Sequence, residues 1–472
     1  MSKSFHCWEL LTALIWTSLI ACPVFAIESN TLRPDFGIID NPPFCKCSEF
    51  ASCTRKPFQG RNDYTKEVIV VSNDKHTWKK WRWDVVSTVI SSGEPDVELM
   101  CYAHKQGKGY GFISHLSNFS SLMDDGKDLV WISTTVQKAR NLFADYVLLD
   151  FLDILDEESL NLTNVAIFLK HFRFSLDHHA YGSKMLCLLP WTPDNFKEHK
   201  RSVLYNLVDS LMTHCEGFVL NSKSFISTSE VCKARPLIPF TKLVLGLDEY
   251  ASHGFELKKF FLGVPWHGFN YTCKSYHKEK NQCDLKKNMS DGLPCDYDNA
   301  REEITLGDLV KKFPDKVESV KGHSWEKFVM APYIVHEDKE EGRMHLLYFE
   351  DYHSLLLKYH LVRDLEMSGV VIWSGDDLAY SSNDAAIKEY EKLTWNLLHQ
   401  WMTQEKRESY ISDEMRSFPS RMAGVGVGCM LLGVLLGFVF GIIVCVRRQR
   451  KLLHPPFTKD KTQEFLDEDP GM

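Results

Sequence analysis

The stretch "DLVWISTTVQKARNLFADYVLLDFLD", residues Asp128 to Asp153, joins an amphipathic segment to a buried run. Its first part has apolar residues at three- and four-residue spacing, which predicts a helix, whereas "YVLLDFLD" is a short apolar run typical of a buried strand. Helices that alternate with buried strands build parallel α/β sheets. The aspartates Asp150 and Asp153 on this strand also raise the question of catalysis.

Seven other short β-branched or apolar runs lie elsewhere in the chain, with helix-like segments between them. In chain order the eight predicted strands are Glu67 to Asn73, Val85 to Gly93, Gly109 to His115, Tyr146 to Asp153, Lys184 to Trp191, Gly217 to Ser222, Phe260 to Gly268 and Gly369 to Gly375. This order predicts an α/β fold, a (β/α)8 TIM barrel over residues 67–405. The segment of about residues 269–349 is too long for a βα loop and predicts an inserted subdomain.

In such a barrel the chemistry lies at the carboxyl ends of the strands. The residues expected there are Asp150 to Asp153, Trp191, Asn221 to Lys223, Trp266, His267 and Trp373.

The two ends of the chain predict a type I membrane protein. Residues 1–26 resemble a cleavable signal peptide, with Lys3, an apolar run and a small-residue site ending at Ala26. Residues 422–446 form a run of 25 residues without charge, enough for a transmembrane helix through roughly 30 Å of hydrocarbon. The basic segment "RRQRK" follows, which places the tail 447–472 in the cytosol and the barrel outside or in a lumen. Residues 27–66 form a Cys-rich N-terminal segment, and 406–421 a juxtamembrane stalk.

Cysteines and sequons agree with a secretory route. Ten cysteines lie between the signal peptide and the span, and most are expected to form disulfides, with a zinc site at "CKCSEFASC" (Cys45 to Cys53) as the competing interpretation. Four sequons predict N-glycosylation of Asn118, Asn161, Asn270 and Asn288. The net charge of −8 and the absence of a basic stripe give no indication of nucleic-acid binding. No metal or cofactor is expected.

Several motifs carry a resemblance to a known family. The segments "CKCSEFASC", "ELMCYAHKQGKG", "FFLGVPWHGFNYTC", "APY" at Ala331 to Tyr333 and "GVVIWSGDDLAY" resemble the di-N-acetylchitobiases of glycoside hydrolase family 18, over roughly Cys45 to Trp401. The resemblance implies a chitinase-like barrel and substrate-assisted hydrolysis of N-acetylglucosamine glycans. In that reaction a glutamic acid on the fourth strand protonates the glycosidic oxygen, and the acetamide of the substrate attacks the anomeric carbon. An aspartate two residues before the acid orients that acetamide.

The resemblance also implies that the acid is missing. With Asp145 as the first motif position, Asp150 is retained, but Leu148 and Leu152 occupy the fourth and eighth positions, the eighth being that of the acid. On a strand, residues 148, 150 and 152 would point into the barrel together. A different alignment of the motif, starting at Asp150, places Asp153 fourth and Glu157 eighth.

Asp150 itself is expected to be a hydrogen-bonded core aspartate or a remnant of the motif. On the sixth strand, Ser222 stands where the family has a tyrosine. His267 occupies an aromatic position of the family, and an isolated histidine there is expected to be packed or hydrogen-bonded.

Two functions stay open at this stage. One is a catalytically inactive membrane glycoprotein that binds N-acetylglucosamine oligosaccharides through Trp373, Trp266 and Tyr333, or that binds a protein partner. The other is an active glycosidase that uses an unorthodox acid such as Glu157. The sequence does not distinguish the cell surface from endolysosomes. Glycines at four-residue spacing in the span, Gly433, Gly437 and Gly441, predict a homodimer.

Overall fold

The computed structural model of the chain describes a large central part of the sequence. The described residues are 43–55, 66–73, 77–116, 119–123, 126–156, 160–193, 198–221, 232–286, 300–317, 323–339, 342–380 and 382–403. The predicted signal peptide, stalk, membrane span and tail lie outside them, as do Ser222, Glu157, Asn118 and Asn288. None of the helices in these ranges has the length and apolar character needed to span a bilayer.

Eight parallel strands form a closed barrel, as the strand pattern predicts. Around the barrel the order is β1, β15, β7, β6, β5, β4, β3, β2. Their bounds are β1 Glu67–Ser72, β2 Thr88–Ser91, β3 Gly109–His115, β4 Tyr146–Asp150, β5 Lys184–Pro190, β6 Gly217–Asn221, β7 Phe260–Pro265 and β15 Gly369–Trp373. All eight strands are almost completely buried, which explains why they read as continuous apolar runs in the sequence.

Helices follow most of the strands. They are α1 Val97–Lys105, α2 Phe119–Leu122, α3 Lys127–Asn141, α4 Leu162–His179, α5 Glu198–Asn206, α6 Val208–His214, α7 Phe240–Ser252, α8 Leu306–Lys312, α9 Pro314–Val317, α10 Tyr352–Asp364 and α11 Ala385–Thr403. Side chains cap several of them: Asp96 accepts from two backbone N–H groups of α1, Asn161 does the same for α4, and Asp351 and Ser354 form a capping box on α10.

The chain divides into two compact units. The first contains the N-terminal segment to residue 57 with residues 90–188 and 198–216. In it β3 and β4 pair in parallel with His115 opposite Asp150, and β4 pairs with β5. Its helices α3 and α4 pack through Trp131, Phe168 and Phe172, whose ring centroids lie between 5.4 and 6.2 Å apart.

Among the described residues, the second unit contains those that fall within 58–89, 189–197 and 217–403. Here β1 pairs with β15, β15 with β7, and β7 with β6, all in parallel. The core behind these strands is aromatic, since the rings of Trp266 and Trp395 meet edge to face at 4.9 Å and Trp81 lies 6.3 Å from Trp395.

A second, antiparallel sheet belongs to this unit, in the order β11, β8, β14, β13, β12. Its strands are β8 His267–Thr272, β11 Arg301–Thr305, β12 Ser324–Glu326, β13 Ala331–Asp338 and β14 Arg343–Tyr348. A two-stranded ribbon, β9 Ser275–His277 with β10 Gln282–Asp284, follows β8. These strands lie in sequence between barrel strands β7 and β15.

Four disulfides are described: Cys45–Cys53, Cys47–Cys101, Cys187–Cys215 and Cys273–Cys283. Cys232 is disulfide-bonded as well. The predicted use of cysteines in bridges is therefore confirmed. The sulfurs of the N-terminal cluster are all in bridges, which leaves no thiolate there for the zinc site considered above.

Candidate functional site

The fourth strand is shorter than the sequence predicts. β4 ends at Asp150, and Leu152 begins a 3₁₀ turn that runs to Asp156. The expected alternation of residues 148, 150 and 152 on one strand is therefore wrong, because Leu152 lies beyond the strand. In the alignment that starts at Asp150, Asp153 is an exposed residue of the same turn, and the acid position, Glu157, lies outside the described residues.

Asp150 is a partly exposed carboxylate at the carboxyl end of β4. Its Oδ1 accepts from the backbone N–H of Leu152 at 3.3 Å, and its Oδ2 accepts from Nδ1 of His115 at 3.0 Å. The side chain of Asp150 is 23% exposed and that of His115 is 66% exposed. Asp150 is thus hydrogen-bonded as expected, but it lies at the rim of the strand and not in the core.

Asp145 lies at the opposite end of the same strand and has a different role. It precedes β4, is buried, and its Oδ2 accepts from Nε2 of His104 at 2.9 Å and from the N–H of Tyr110 at 2.8 Å. Nδ1 of His104 donates in turn to the carbonyl of Ser52 at 2.8 Å. The five residues of β4 separate Asp145 from Asp150 by roughly 16 Å at the usual strand rise. Asp145 therefore holds the N-terminal segment to the amino end of the strand.

Arg55 reinforces this attachment of the N-terminal segment. Its guanidinium donates to the carbonyls of Ala144, Tyr181 and Ala139 and to the hydroxyl of Ser183. Burial lowers the pKa of Arg55, although the charge of Asp145 acts in the opposite direction.

Trp373 ends β15 in the second unit, where its backbone is fixed by several groups. Its carbonyl accepts from the N–H of Trp266 at 3.0 Å and from Nδ1 of His267 at 3.2 Å. Asp377 accepts from the N–H of Ser374 at 2.8 Å and lies 3.3 Å from the same His267 nitrogen. The peptide bond between Trp373 and Ser374 is cis. His267 is thus buried and hydrogen-bonded, as expected for that position.

The three aromatic residues expected to contact a sugar differ in exposure. Trp373 is 5% exposed, whereas Trp266 has no exposed surface and packs against Trp395. The ring of Trp266 therefore offers no face to a ligand. We interpret Trp266 as a packing residue of the core and not as a sugar contact. Tyr333 lies on β13 of the antiparallel sheet and is half-buried, with its ring 6.0 Å from that of Tyr348.

Tyr348, the neighbour of Tyr333, donates a hydrogen bond to Glu326. Burial, together with this hydrogen bond, raises the pKa of Tyr348.

No family model matches the chain. Individual relatives do: it is 28% identical to the di-N-acetylchitobiase of Mus musculus over 75% of this chain and 92% of that protein. The di-N-acetylchitobiase of Homo sapiens is 26% identical over 75% of this chain and 88% of its own length. This chain is a homologue of di-N-acetylchitobiase.

Solved structures agree with the fold of the chitobiase homologue. Chitinase RmChi1 from Rhizomucor miehei superposes with a TM-score of 0.52 at 14% identity, over 70% of this chain and all of the chitinase. YKL-39, solved in the presence of chitooligosaccharides, gives a TM-score of 0.53 at 13% identity, over 72% of this chain and 100% of its own. At these identities the likeness establishes the barrel fold alone.

Three polar residues near the ends of barrel strands, His115, Asp376 and Asp377, are not among the site residues predicted from the sequence. His115 ends β3, and a search of every strand's carboxyl end would have found it. Asp376 and Asp377 lie in the 3₁₀ turn Gly375–Asp377 that follows β15, and Asp376 accepts from the N–H of Asn73 at 2.5 Å and from the hydroxyl of Thr77. Their position within "WSGDDLAY", just past a barrel strand, could have identified them as candidate site residues from the sequence.

Of the four sequons in the chitobiase homologue, two can be compared in the structure. Asn161 is exposed, and its Oδ1 caps α4 by accepting from the N–H groups of Thr163 and Asn164. Asn270, in contrast, is 5% exposed on an inner strand of the antiparallel sheet, and its Oδ1 accepts from Nε2 of His336 at 3.2 Å. The burial of this side chain disfavours a glycan on Asn270, and glycosylation of the four sequons stays a prediction.

Proposed function

We propose that this protein is a catalytically inactive, single-pass type I membrane glycoprotein whose chitobiase-like barrel binds glycans that contain N-acetylglucosamine. The observation that carries the proposal is Leu152. The resemblance assigns the general acid to this position, and a leucine side chain has no proton to give. Loss of a general acid lowers a rate by about 10² to 10⁴.

The state of Asp150 supports the same proposal. In the family this aspartate is expected to orient the acetamide of the substrate for attack. Here its two oxygens are held by the N–H of Leu152 and by His115. A carboxylate fixed in this way remains an acceptor for a ligand N–H or O–H group.

Glycan binding is supported by features that do not depend on the acid. YKL-39, whose fold resembles that of this chain, was solved in the presence of chitooligosaccharides. Trp373 ends the eighth barrel strand and keeps 5% of its surface exposed, and we propose that a sugar contacts this exposed part of the indole. Tyr333 is the second aromatic side chain that we retain as a proposed contact.

The membrane part of the proposal rests on residues 422–446, with 25 uncharged residues followed by "RRQRK". The tail 447–472 would then be cytosolic and the barrel extracellular or lumenal. Protease treatment of intact microsomes from cells that express the full chain tests this orientation. The barrel should be protected and an epitope tag at the C-terminus removed; the reverse pattern would refute it.

Hydrolysis is tested with the full-length protein in detergent and a fluorogenic chitobioside between pH 4 and 7. Human di-N-acetylchitobiase serves as the positive control. We expect no turnover above background, and a rate of about 1 per second or more, ordinary for an enzyme, would refute the inactive assignment.

Binding is tested by titrating N-acetylglucosamine oligomers and following tryptophan fluorescence. Trp373→Ala should abolish the change, Trp373→Phe should retain part of the binding, and Trp131→Phe, on a helix of the other unit, should have no effect. No binding by the wild-type protein at millimolar oligomer would refute the glycan proposal.

A further inference from the structure

His115 and Asp150 form a pair across two neighbouring barrel strands. The parallel register places them directly opposite each other, at the last residues of β3 and β4. Nδ1 of His115 lies 3.0 Å from Oδ2 of Asp150. Since the backbone ladder sets this register, the pairing is built into the sheet and does not depend on a loop.

The surroundings of Asp150 explain why it has a partner. Leu148 is fully buried and Leu152 is half-buried, and they lie two residues before and two residues after Asp150. The Asp150 side chain is itself mostly covered, and a carboxylate that loses hydration needs hydrogen bonds to compensate. The N–H of Leu152 supplies one of these and the imidazole of His115 supplies the other.

The same contact fixes the chemistry of the histidine. A carboxylate only accepts, so Nδ1 of His115 carries the hydrogen, and in the neutral ring Nε2 is then an acceptor. Two thirds of the His115 side chain is exposed, whereas Asp150 is mostly covered. No described residue bonds to Nε2, and the side chain is 66% exposed, so Nε2 can accept a hydrogen bond from a hydroxyl group of a ligand.

We propose that His115 and Asp150 act together as a recognition pair for an N-acetylhexosamine unit. As the resemblance implies, Asp150 accepts from the acetamide N–H of the sugar, and Nε2 of His115 accepts from a hydroxyl group beside it. His115 is thus a positioning residue for Asp150 and also contacts the sugar itself. This inference rests on the proposed function and adds His115 to the residues that contact the sugar. The competing account is an exposed ion pair without a ligand, which contributes between 0 and about 1 kcal/mol to stability.

Two substitutions of His115 distinguish the roles of its two ring nitrogens. His115→Asn keeps an N–H near the position of Nδ1, so Asp150 retains a donor, but it removes Nε2. His115→Gln places an amide near the position of Nε2 instead. His178→Asn is the matched control, because His178 is an exposed histidine on α4 of the same unit and its Nδ1 donates to a backbone carbonyl.

The test is calorimetric titration of the full-length protein in detergent with the N-acetylglucosamine tetramer and with the glucose tetramer. We expect His115→Asn to bind the N-acetylglucosamine tetramer about tenfold more weakly than wild type, a loss of about 1.4 kcal/mol, with an unchanged melting temperature. His115→Gln should recover part of this affinity. Asp150→Asn should weaken binding at least as much, and His178→Asn should not differ from wild type.

The outcomes distinguish this inference from the proposed function. If His115→Asn binds as tightly as wild type while Trp373→Ala does not bind, the glycan-binding function holds and the role of His115 is refuted. Loss of affinity in His115→Asn without recovery in His115→Gln, or equal affinity of wild type for both tetramers, also refutes it. If wild type binds neither tetramer at millimolar concentration, the proposed function and the inference are both wrong.

Discussion

His323 donates through Nε2 to Oδ2 of Asp351 at 3.0 Å, and through Nδ1 to the carbonyl of Lys316 at 2.9 Å. Asp351 also caps α10 by accepting from the N–H of Ser354. Both side chains are almost fully buried. Because both ring nitrogens face acceptors, the protonated imidazole is the form that satisfies the whole arrangement.

This pair predicts a stability that depends on pH. The hydrogen bond to Asp351 raises the pKa of His323 in spite of burial. Burial would raise the pKa of Asp351, but the hydrogen bonds from His323 and from the Ser354 N–H outweigh it and lower that pKa. A raised histidine pKa stabilises the fold fully below its unfolded value of about 6.5, and this stabilisation is lost as the pH rises through the folded pKa. The lowered pKa of Asp351 stabilises the fold above about pH 3.9, and this is lost on further acidification.

Thermal unfolding of wild type and His323→Gln at pH 5 and pH 8 checks the prediction. At pH 5 the substitution should cost about 1.5–3 kcal/mol, as expected for a hydrogen bond to a charged group, and at pH 8 clearly less. His253→Gln, at an exposed histidine, should show little difference between the two pH values. An equal cost of His323→Gln at both would contradict the role of the charge.

The barrel was readable from the sequence because each of its strands is buried on both faces and therefore forms a continuous apolar run. The end of β4 was not readable. An apolar run of this length is compatible with a strand or with a tight turn, and only the structure shows that Leu152 starts a 3₁₀ turn.

The candidate site was predicted only in part, for a related reason. The contact of Asp145 with His104 joins residues 41 positions apart, and Trp266 is packed against Trp395 of helix α11, which is distant in the sequence. Such partners are brought together by the fold and leave no local pattern. His115 differs, because its place at the end of a strand was visible in the sequence.

The buried ion pair of Lys358 and Glu350 predicts a large effect of a single substitution. Nζ of Lys358 lies 2.9 and 2.7 Å from the two carboxylate oxygens, and the side chains are 0% and 2% exposed. Lys358→Met leaves Glu350 as an unpaired buried charge and should cost about 3–5 kcal/mol in the free energy of unfolding. The double variant with Glu350→Leu should recover most of that loss in denaturant titrations.

The exposed pair of Lys311 and Asp308, at 2.9 Å, is the control for this prediction. Lys311→Met should cost less than about 1 kcal/mol, because water screens an exposed pair. Similar costs for Lys358→Met and Lys311→Met would show that the burial of the first pair has no energetic consequence.

Glycan occupancy should differ between two sequons. Asn161 is exposed and caps α4 through Oδ1, so a glycan on its amide nitrogen leaves the capping oxygen in place. Asn270 is buried and bonded to His336. The protein is purified from secretory cells, and its N-glycans are removed by a peptide N-glycosidase in ¹⁸O water, which converts each glycosylated asparagine to an ¹⁸O-labelled aspartate. Peptide mass spectrometry should then find the label at residue 161 and not at residue 270. Labelling of Asn270 in folded protein would contradict the burial of this side chain.

The last prediction concerns the apolar segment 422–446. Gly433, Gly437 and Gly441 recur every four residues and would line one face of a helix. In lipid, such a stripe lets two helices approach closely, and van der Waals packing then drives association. A dimer would hold two barrels on one membrane and raise the avidity for glycans that carry several N-acetylglucosamine units.

Crosslinking of the full-length protein in membranes should therefore yield a dimer that Gly437→Ile disrupts. Val434→Ile, on a neighbouring face of the same helix, should leave the dimer intact, and an unchanged dimer in Gly437→Ile would exclude this face as the contact.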